Sequence, residues 1–365
     1  MISSSRHHDD LRRSPMRFAG SPMRFCRWIA AALFACVTWG CVPLGGTHGV
    51  ATAEEPRTLG KVISHSPQVS TQYPIEVIAA GMTWCEGPVW VADSAAIDPG
   101  VDGGYLLFSD IPRNTIFRWR EGSGVDVFMQ PSGYTGVRYY GLEPGSNGLV
   151  LDPQGRLCMC EHGDRRLSRL TTGGGKVTLV DRFEGKRLNS PNDLVFAKDG
   201  TLYFTDPPYG LPERADDPRR ELSFCGVFRL STRGVLSVVS EQIERPNGIG
   251  LSADGKRLVV AQSNPKAPTW TVFEIAADGS ASSGKIIRDA KETMSRFPGL
   301  PDGLCVSKSD LIYASAPGGI DVMNFDGQLL GRFETGKRTS NCALDADERY
   351  LYITADDTVC RVRLK

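Results

Sequence analysis

Six polar residues, Glu86, Asn147, Asn192, Asn247, Asp302 and Asn341, open six similar stretches of the chain, and each has a carboxylate or carboxamide oxygen to offer a ligand. The stretch Asn189-Ser-Pro-Asn192-Asp-Leu-Val-Phe-Ala-Lys-Asp-Gly200-Thr-Leu-Tyr-Phe-Thr-Asp206 shows the unit: a polar corner, a short apolar run, an Asp-Gly turn and an apolar return. Glu86, Asn192, Asn247 and Asp302 together supply two anionic and two neutral oxygen donors. Such a set suits a hard divalent cation, Ca²⁺ first, then Mg²⁺ or Mn²⁺, with Zn²⁺ last. Zinc is disfavoured because the repeats hold a single histidine, His162, and no C-x-x-C pair. Taken singly, each Asn-Gly or Asp-Gly is a turn signal. Recurrence at one phase of a repeat turns that signal into a candidate site.

The elements that must position these residues are short strands. An apolar run, an Asp-Gly turn and a second apolar run describe an antiparallel hairpin. Its copies recur every roughly 40 to 60 residues, the period of propeller blades. Each copy is followed by further strand-like segments such as Gly226-Val-Phe-Arg-Leu230 and Thr271-Val-Phe-Glu-Ile275. The reading is an all-β chain forming a six-bladed β-propeller over residues 72–365, in which the first strand of each blade lines the central channel. Tyr73-Pro-Ile-Glu-Val-Ile-Ala-Ala80 reads as a strand that closes the ring by joining the C-terminal segment Val359–Leu364. Residues 54–71 read as a polar linker. Residues 91–104 and 207–222 read as loops inserted between strands, and the second, which carries Tyr209, is placed to roof the channel and touch substrate.

Lys plus Arg and Asp plus Glu balance at 42 each among 365 residues, which recommends neither nucleic acid nor an anionic membrane as partner. At the N-terminus, the basic segment Met23–Arg27, the apolar run Trp28–Trp39 and the small residues Ala51-Thr-Ala53 form the three parts of a secretory signal peptide, so residues 1–53 are expected to be a leader of an exported protein. Gly40-Cys41 is a weak lipoprotein signal, because Trp39 is bulky where a small residue is expected. Of ten cysteines three lie in this leader, and the odd remainder argues against a disulfide framework. Cys158 and Cys160, two apart in a strand, share one face and suit packing.

Glu86-Gly-Pro-Val-Trp, Ser190-Pro-Asn-Asp193, Arg245-Pro-Asn-Gly248, Pro301-Asp-Gly303 and Thr339-Ser-Asn341 resemble the blade motifs of the gluconolactonase/regucalcin (senescence marker protein 30) family. The resemblance runs from about residue 75 to the end of the chain. It implies a six-bladed propeller with one divalent metal, usually calcium, in the channel, and hydrolysis of a lactone ring, with a sugar aldono-1,5-lactone as the leading substrate. By motif it makes Glu86, Asn247 and Asp302 metal ligands, and Asn192 a residue that completes the shell or holds substrate. Regucalcin-like members carry Arg two places before that Asn, whereas here it is Ser190, so their substrate contacts do not transfer directly. Glu161-His-Gly-Asp164 is similar to a segment of bacterial gluconolactonase-like members.

A lactone hydrolase needs a group to take the attacking water's proton. Asp302 is the first candidate, since a carboxylate at the metal edge can accept a proton. His162 is the second, its ordinary pKa suiting proton transfer near neutrality. Its structural alternative is a histidine bonding backbone at a strand end. Asn192, Asn147 and Tyr209 are the candidate substrate contacts. Asp193, beside Asn192, should point the other way along the chain and serve structure. Alternatives of other classes are a phosphotriesterase on the same metal and a non-enzymatic propeller binder. No G-x-S-x-G or G-x-G-x-x-G supports serine-hydrolase or dinucleotide chemistry.

Overall fold

Hairpins built on Asp-turn chemistry repeat along the chain. Asp152 Oδ1 accepts the N–H groups of Gln154 and Arg156, and Asp345 Oδ1 accepts those of Arg349 and Tyr350. The turn residues Gly155 and Gly200 hold φ of 73° and 89°, a region that costs glycine nothing. The computed structural model describes residues 57–92, 97 and 103–364, within a compact unit spanning 54–365. The leader reading for residues 1–53 and most of the 91–104 loop lie outside the described residues.

Among the described residues six antiparallel sheets of four or five strands, the blades, follow one another. The first four blades begin with the strands Cys85–Val91, Ser146–Leu151, Leu194–Phe196 and Pro246–Leu251. The fifth and sixth begin with Leu304–Val306 and Thr339–Leu344. The sixth blade is completed as expected by Ile75–Ala80, which pairs with Thr358–Arg363 in the register Ile75↔Val362 and Val77↔Cys360. A chain folded this way is a six-bladed β-propeller closed by the strand Ile75–Ala80.

Six apolar clusters fill the six interfaces between neighbouring blades. Leu167 and Cys160 of the second blade, for example, pack with Phe204 and Phe228 of the third. Tyr352 and Val359 of the sixth meet Leu106 and Phe108 of the first. Cys158 and Cys160 are both fully buried in one such cluster, in keeping with packing. Each blade is therefore sandwiched, and no blade keeps its core without both neighbours.

The described part of the expected linker is not a passive connection. Lys61–Ser64 forms a fifth strand on the outer edge of the fifth blade, pairing Lys61↔Glu334 and Ser64↔Gly331. Val69 is buried in the same cluster as Ile75 and Phe333. An outer edge left bare would expose unpaired backbone groups, and four residues are too few to announce a strand by alternation. A two-strand hairpin, Arg182–Phe183 with Lys186–Arg187, also escaped the sequence reading. Among the described residues no helix is long and apolar enough to cross a membrane.

Ile75 is 1% exposed and lies at the seam of the ring. Replacing it with Ala is expected to cost about 2–5 kcal/mol, read as a lower midpoint of chemical denaturation, whereas Val235→Ala on an exposed strand margin should move the midpoint little.

Candidate functional site

The phase of the repeat is set by hydrogen bonds from blade to blade around the channel. Gly148 N–H donates to the Asn192 carbonyl at 2.8 Å, Gly248 N–H to that of Asp302 at 3.0 Å, and Gly303 N–H to that of Ser340 at 2.6 Å. Strand register agrees. Cys85, Ser146, Pro246 and Thr339 pair with the last residue of their blade's second strand, and the next residue in each case is Glu86, Asn147, Asn247 or Ser340. The inner ring is therefore Glu86, Asn147, Asn192, Asn247, Asp302 and Ser340. Asn341, expected in that ring, stands one residue further on, in phase with Gly148, Asp193, Gly248 and Gly303. The sixth copy reads Ser-Asn-Cys where four of the others put a carboxylate or amide residue directly before glycine and the third reads Asn192-Asp193, so matching on Asn slips the register by one. Ser340 turns outward, donating to the Cys85 carbonyl at 2.6 Å and so tying the sixth blade to the first.

Glu86, Asn147, Asn192, Asn247 and Asp302 line one cavity of about 380 Å³, together with Tyr209 from the 207–222 insertion. All of these were expected at the site, and the fold brings them together. Two amides have their orientation fixed from behind. Asn247 Nδ2 donates to Ser263 Oγ at 2.9 Å, which leaves its carbonyl oxygen for the cavity. Asn147 Nδ2 faces His162 Nε2 at 3.4 Å, with the same consequence.

The carboxylates are in an unusual electrostatic position. Burial pushes Glu86 up to about 8, and the negative charge of Asp193 adds to the effect. Asp302 is raised well above the ordinary carboxylate range by burial and then by Glu86 and Asp193. Asp302 Oδ1 and Asn147 Oδ1 are both shut off from solvent without a hydrogen-bond partner. Buried anions, one of them with an orphaned oxygen, make a poor environment for each other and a good one for a hard cation. Glu86, Asn192, Asn247 and Asp302 are the residues that could hold it. Among the described residues no group of three or more His, Cys, Asp or Glu forms a metal cluster; half of this candidate set consists of amides.

A second tier lies beneath. Asp193 does not line the cavity, but neither is it remote from it. Its carboxyl is buried and pushed up to about 7, and the Asn341 amide hydrogen-bonds both Asp193 and Glu86. These two side chains lie where neighbouring blades have glycine. A Cβ at Gly303 would fall 1.9 Å from Asn341 Cγ, and one at Gly148 would fall 2.7 Å from Asp193 Oδ1. Strand alternation did not anticipate this, because residues 191–193 precede the strand proper.

His162 does not reach the cavity. It is fully buried behind Asn147, and burial, reinforced by Arg214 and opposed by Glu143, pushes it down to about 4. The roof is made by Tyr209 and Arg214 of the insertion. Arg214 pairs with Glu143 at 2.7 Å and stacks on Tyr209, and the Tyr209 hydroxyl, raised by burial, donates to the Ser263 carbonyl at 3.4 Å. Sequence reasoning missed Glu143, Trp84, Arg214, Arg245 and Arg338, which also line the cavity. Trp84 and Arg245 each stand two residues before a ring residue, a signal the motifs contain. Glu143 lies in an unrepeated loop and carries none.

Fold and site together define a propeller protein with a polar, carboxylate-bearing pocket at the inner ends of its blades. The model of the SMP-30/gluconolactonase/LRE-like region matches residues 84–357, and the chain belongs to that family. It is 38% identical over 319 residues to a gluconolactonase of Zymomonas mobilis, covering 84% of this chain and 87% of that protein. It is 27% identical to a pentonolactonase of Haloferax volcanii over 74% of this chain and 80% of the relative. The solved structure of a gluconolactonase from Xanthomonas campestris superposes with a TM-score of 0.72 at 30% identity, covering 85% of this chain and 96% of that one.

Because Gly303 makes room for Asn341, Gly303→Ala should drive the Asn341 amide from Glu86 and Asp193 and lower stability by about 1–3 kcal/mol. Combining it with Asn341→Ala should cost less than the two single changes added together, a non-additivity that denaturation of the four proteins measures.

Proposed function

We propose that this protein opens the ring of a sugar lactone, an aldono-1,5-lactone of the gluconolactone type, with one divalent cation, Ca²⁺ foremost, held by Glu86, Asn192, Asn247 and Asp302. The observation that carries the reading is the convergence of these four residues, from positions 86 to 302, on one cavity where an Asp302 oxygen has no partner within the protein. The similar gluconolactonases and the pentonolactonase support the lactone as substrate. The chain is accordingly an enzyme of the lactone hydrolase type, and the non-enzymatic binder gives way to it.

When bound, the cation supplies a Lewis acid for the lactone carbonyl and lowers the pKa of water. The protein's own groups do the rest. Asn247, pinned by Ser263, and Asn192 present amide oxygens with no charge of their own, so this set of four residues brings to the cation only the two negative charges of Glu86 and Asp302. Asp302 takes the proton of the attacking water through the oxygen that nothing else engages. His162 is unsuited to that role, since Asn147 stands between it and the cavity and burial keeps its ring neutral. Tyr209, held across the opening by Arg214 and Ser263, limits water around the bound ring, and Asn147 offers it a polar contact. A cavity of about 380 Å³ admits a monosaccharide-sized ring. Export through the leader at residues 1–53 is part of the same proposal.

Treatment with EDTA should abolish hydrolysis of the aldonolactone, and Ca²⁺, Mn²⁺ or Mg²⁺ should restore it. Full turnover in excess chelator would remove the cation from the mechanism. Asp302→Asn keeps the shape of the side chain and should lower kcat by about 10²–10⁴-fold; a variant with wild-type kcat would sink the assignment of the base. Preferential turnover of phosphotriesters over lactones in the same assays would move the substrate class.

A further inference from the structure

Along one wall of the cavity, the lining residues Asn147 and Glu143 and, behind Asn147, His162 form a line of polar groups that the proposed proton transfer leaves unused. Asn147 and His162 are buried, at 3% and 0% exposure. The imidazole is fixed in place: a Cβ on Gly210 of the roofing insertion would meet its Cβ at 2.5 Å and its Cγ at 2.6 Å. Its Nδ1 has no hydrogen-bond partner of good geometry, but faces the Glu143 carboxylate, with Oε2 3.9 Å away. Acceptor oxygens on that side place the ring proton on Nδ1 and leave the lone pair on Nε2 pointing at Asn147. Only the NH₂ end of the amide can face a lone pair, and Asn147 Nδ2 lies 3.4 Å from Nε2. The amide oxygen is thereby turned the other way, into the cavity, where it is buried and without a partner.

A neutral, fixed, unpaired acceptor in a binding cavity is a specificity device, because a ligand lacking the matching donor leaves it desolvated and unsatisfied. We propose that Asn147 Oδ1, aimed by His162, accepts a hydrogen bond from a hydroxyl of the substrate ring and selects polyhydroxylated lactones over unsubstituted ones. His162 is then a positioning residue acting through Asn147, and Glu143, which also pairs with Arg214 of the roof, sets its tautomer. This rests on the lactone reading above and assigns the residues that select for the hydroxylated ring.

The test compares wild type with Asn147→Leu, His162→Leu and His162→Gln in the full chain. Each is assayed for kcat and KM on a polyhydroxylated and an unsubstituted six-membered lactone, and for Ca²⁺ affinity by calorimetry. Both Leu variants should lose at least about tenfold more kcat/KM on the hydroxylated lactone than on the plain one, mainly through KM. His162→Gln, whose amide oxygen stands in for the Nε2 acceptor, should recover the preference to within about threefold of wild type, and Ca²⁺ affinity should stay within about threefold throughout. Equal losses on both lactones would overturn the proposal. So would a folded His162→Gln protein that behaves like His162→Leu, or a fall in Ca²⁺ affinity of more than about tenfold in Asn147→Leu, which would place that oxygen on the cation. A wild-type protein inert toward both lactones would instead overturn the lactone reading, and this proposal with it.

Discussion

Everything at the site depends on the closure of the ring. Hydroxyl groups at the inner ends of the blades stitch neighbours together: Ser109 Oγ donates to the Asn147 carbonyl at 2.8 Å, Thr205 Oγ1 to the Asn247 carbonyl at 2.7 Å, and Ser340 Oγ to the Cys85 carbonyl at 2.6 Å. The last of these joins residues 255 apart in sequence, and the pairing of Ile75–Ala80 with Thr358–Arg363 holds the same seam from outside. The carbonyls engaged belong to ring residues or to their immediate neighbours. The bonds that close the propeller thus also set the height at which each side chain enters the channel.

That arrangement concentrates negative charge that the protein does not neutralise internally. Glu86, Asp193 and Asp302 are buried within range of each other, and each is pushed toward its protonated form. The arginines at the mouth are committed elsewhere in two cases, Arg214 to Glu143 and Arg338 to Asp356 at 2.7 Å. A propeller core could satisfy its hydrogen bonds with hydroxyls and glycines alone, as the tier beneath largely does. Retaining carboxylates there costs stability, which is the expected signature of residues kept for chemistry rather than for folding.

The contrast between Ser263 and His162 shows how second-layer groups divide labour. Both bind the NH₂ end of a ring asparagine and so direct its oxygen inward. Ser263 does it with a hydroxyl that itself donates a hydrogen bond to the Pro301 carbonyl at 2.5 Å, next to Asp302, which couples two ring positions directly. His162 does it from within a packed, unrepeated region supported by the roofing insertion. One amide is tied to the repeat, the other to the part of the chain that departs from it.

The repeat, its six-fold count, the closing strand and five of the six ring residues were legible because each is encoded locally: a hairpin's turn and alternation lie within about twenty residues. The amino-acid sequence by itself thus determined that oxygen-bearing side chains recur at one phase of a closed array. It did not determine that Ser340 rather than Asn341 completes the ring, since a one-residue offset is visible only in the register of paired strands. Nor could it show Lys61–Ser64 covering the fifth blade, Glu143 meeting Arg214, or His162 sitting behind Asn147 instead of in the cavity. Those are contacts between segments with no common pattern, and their formation depends on the volume left once the blades have packed.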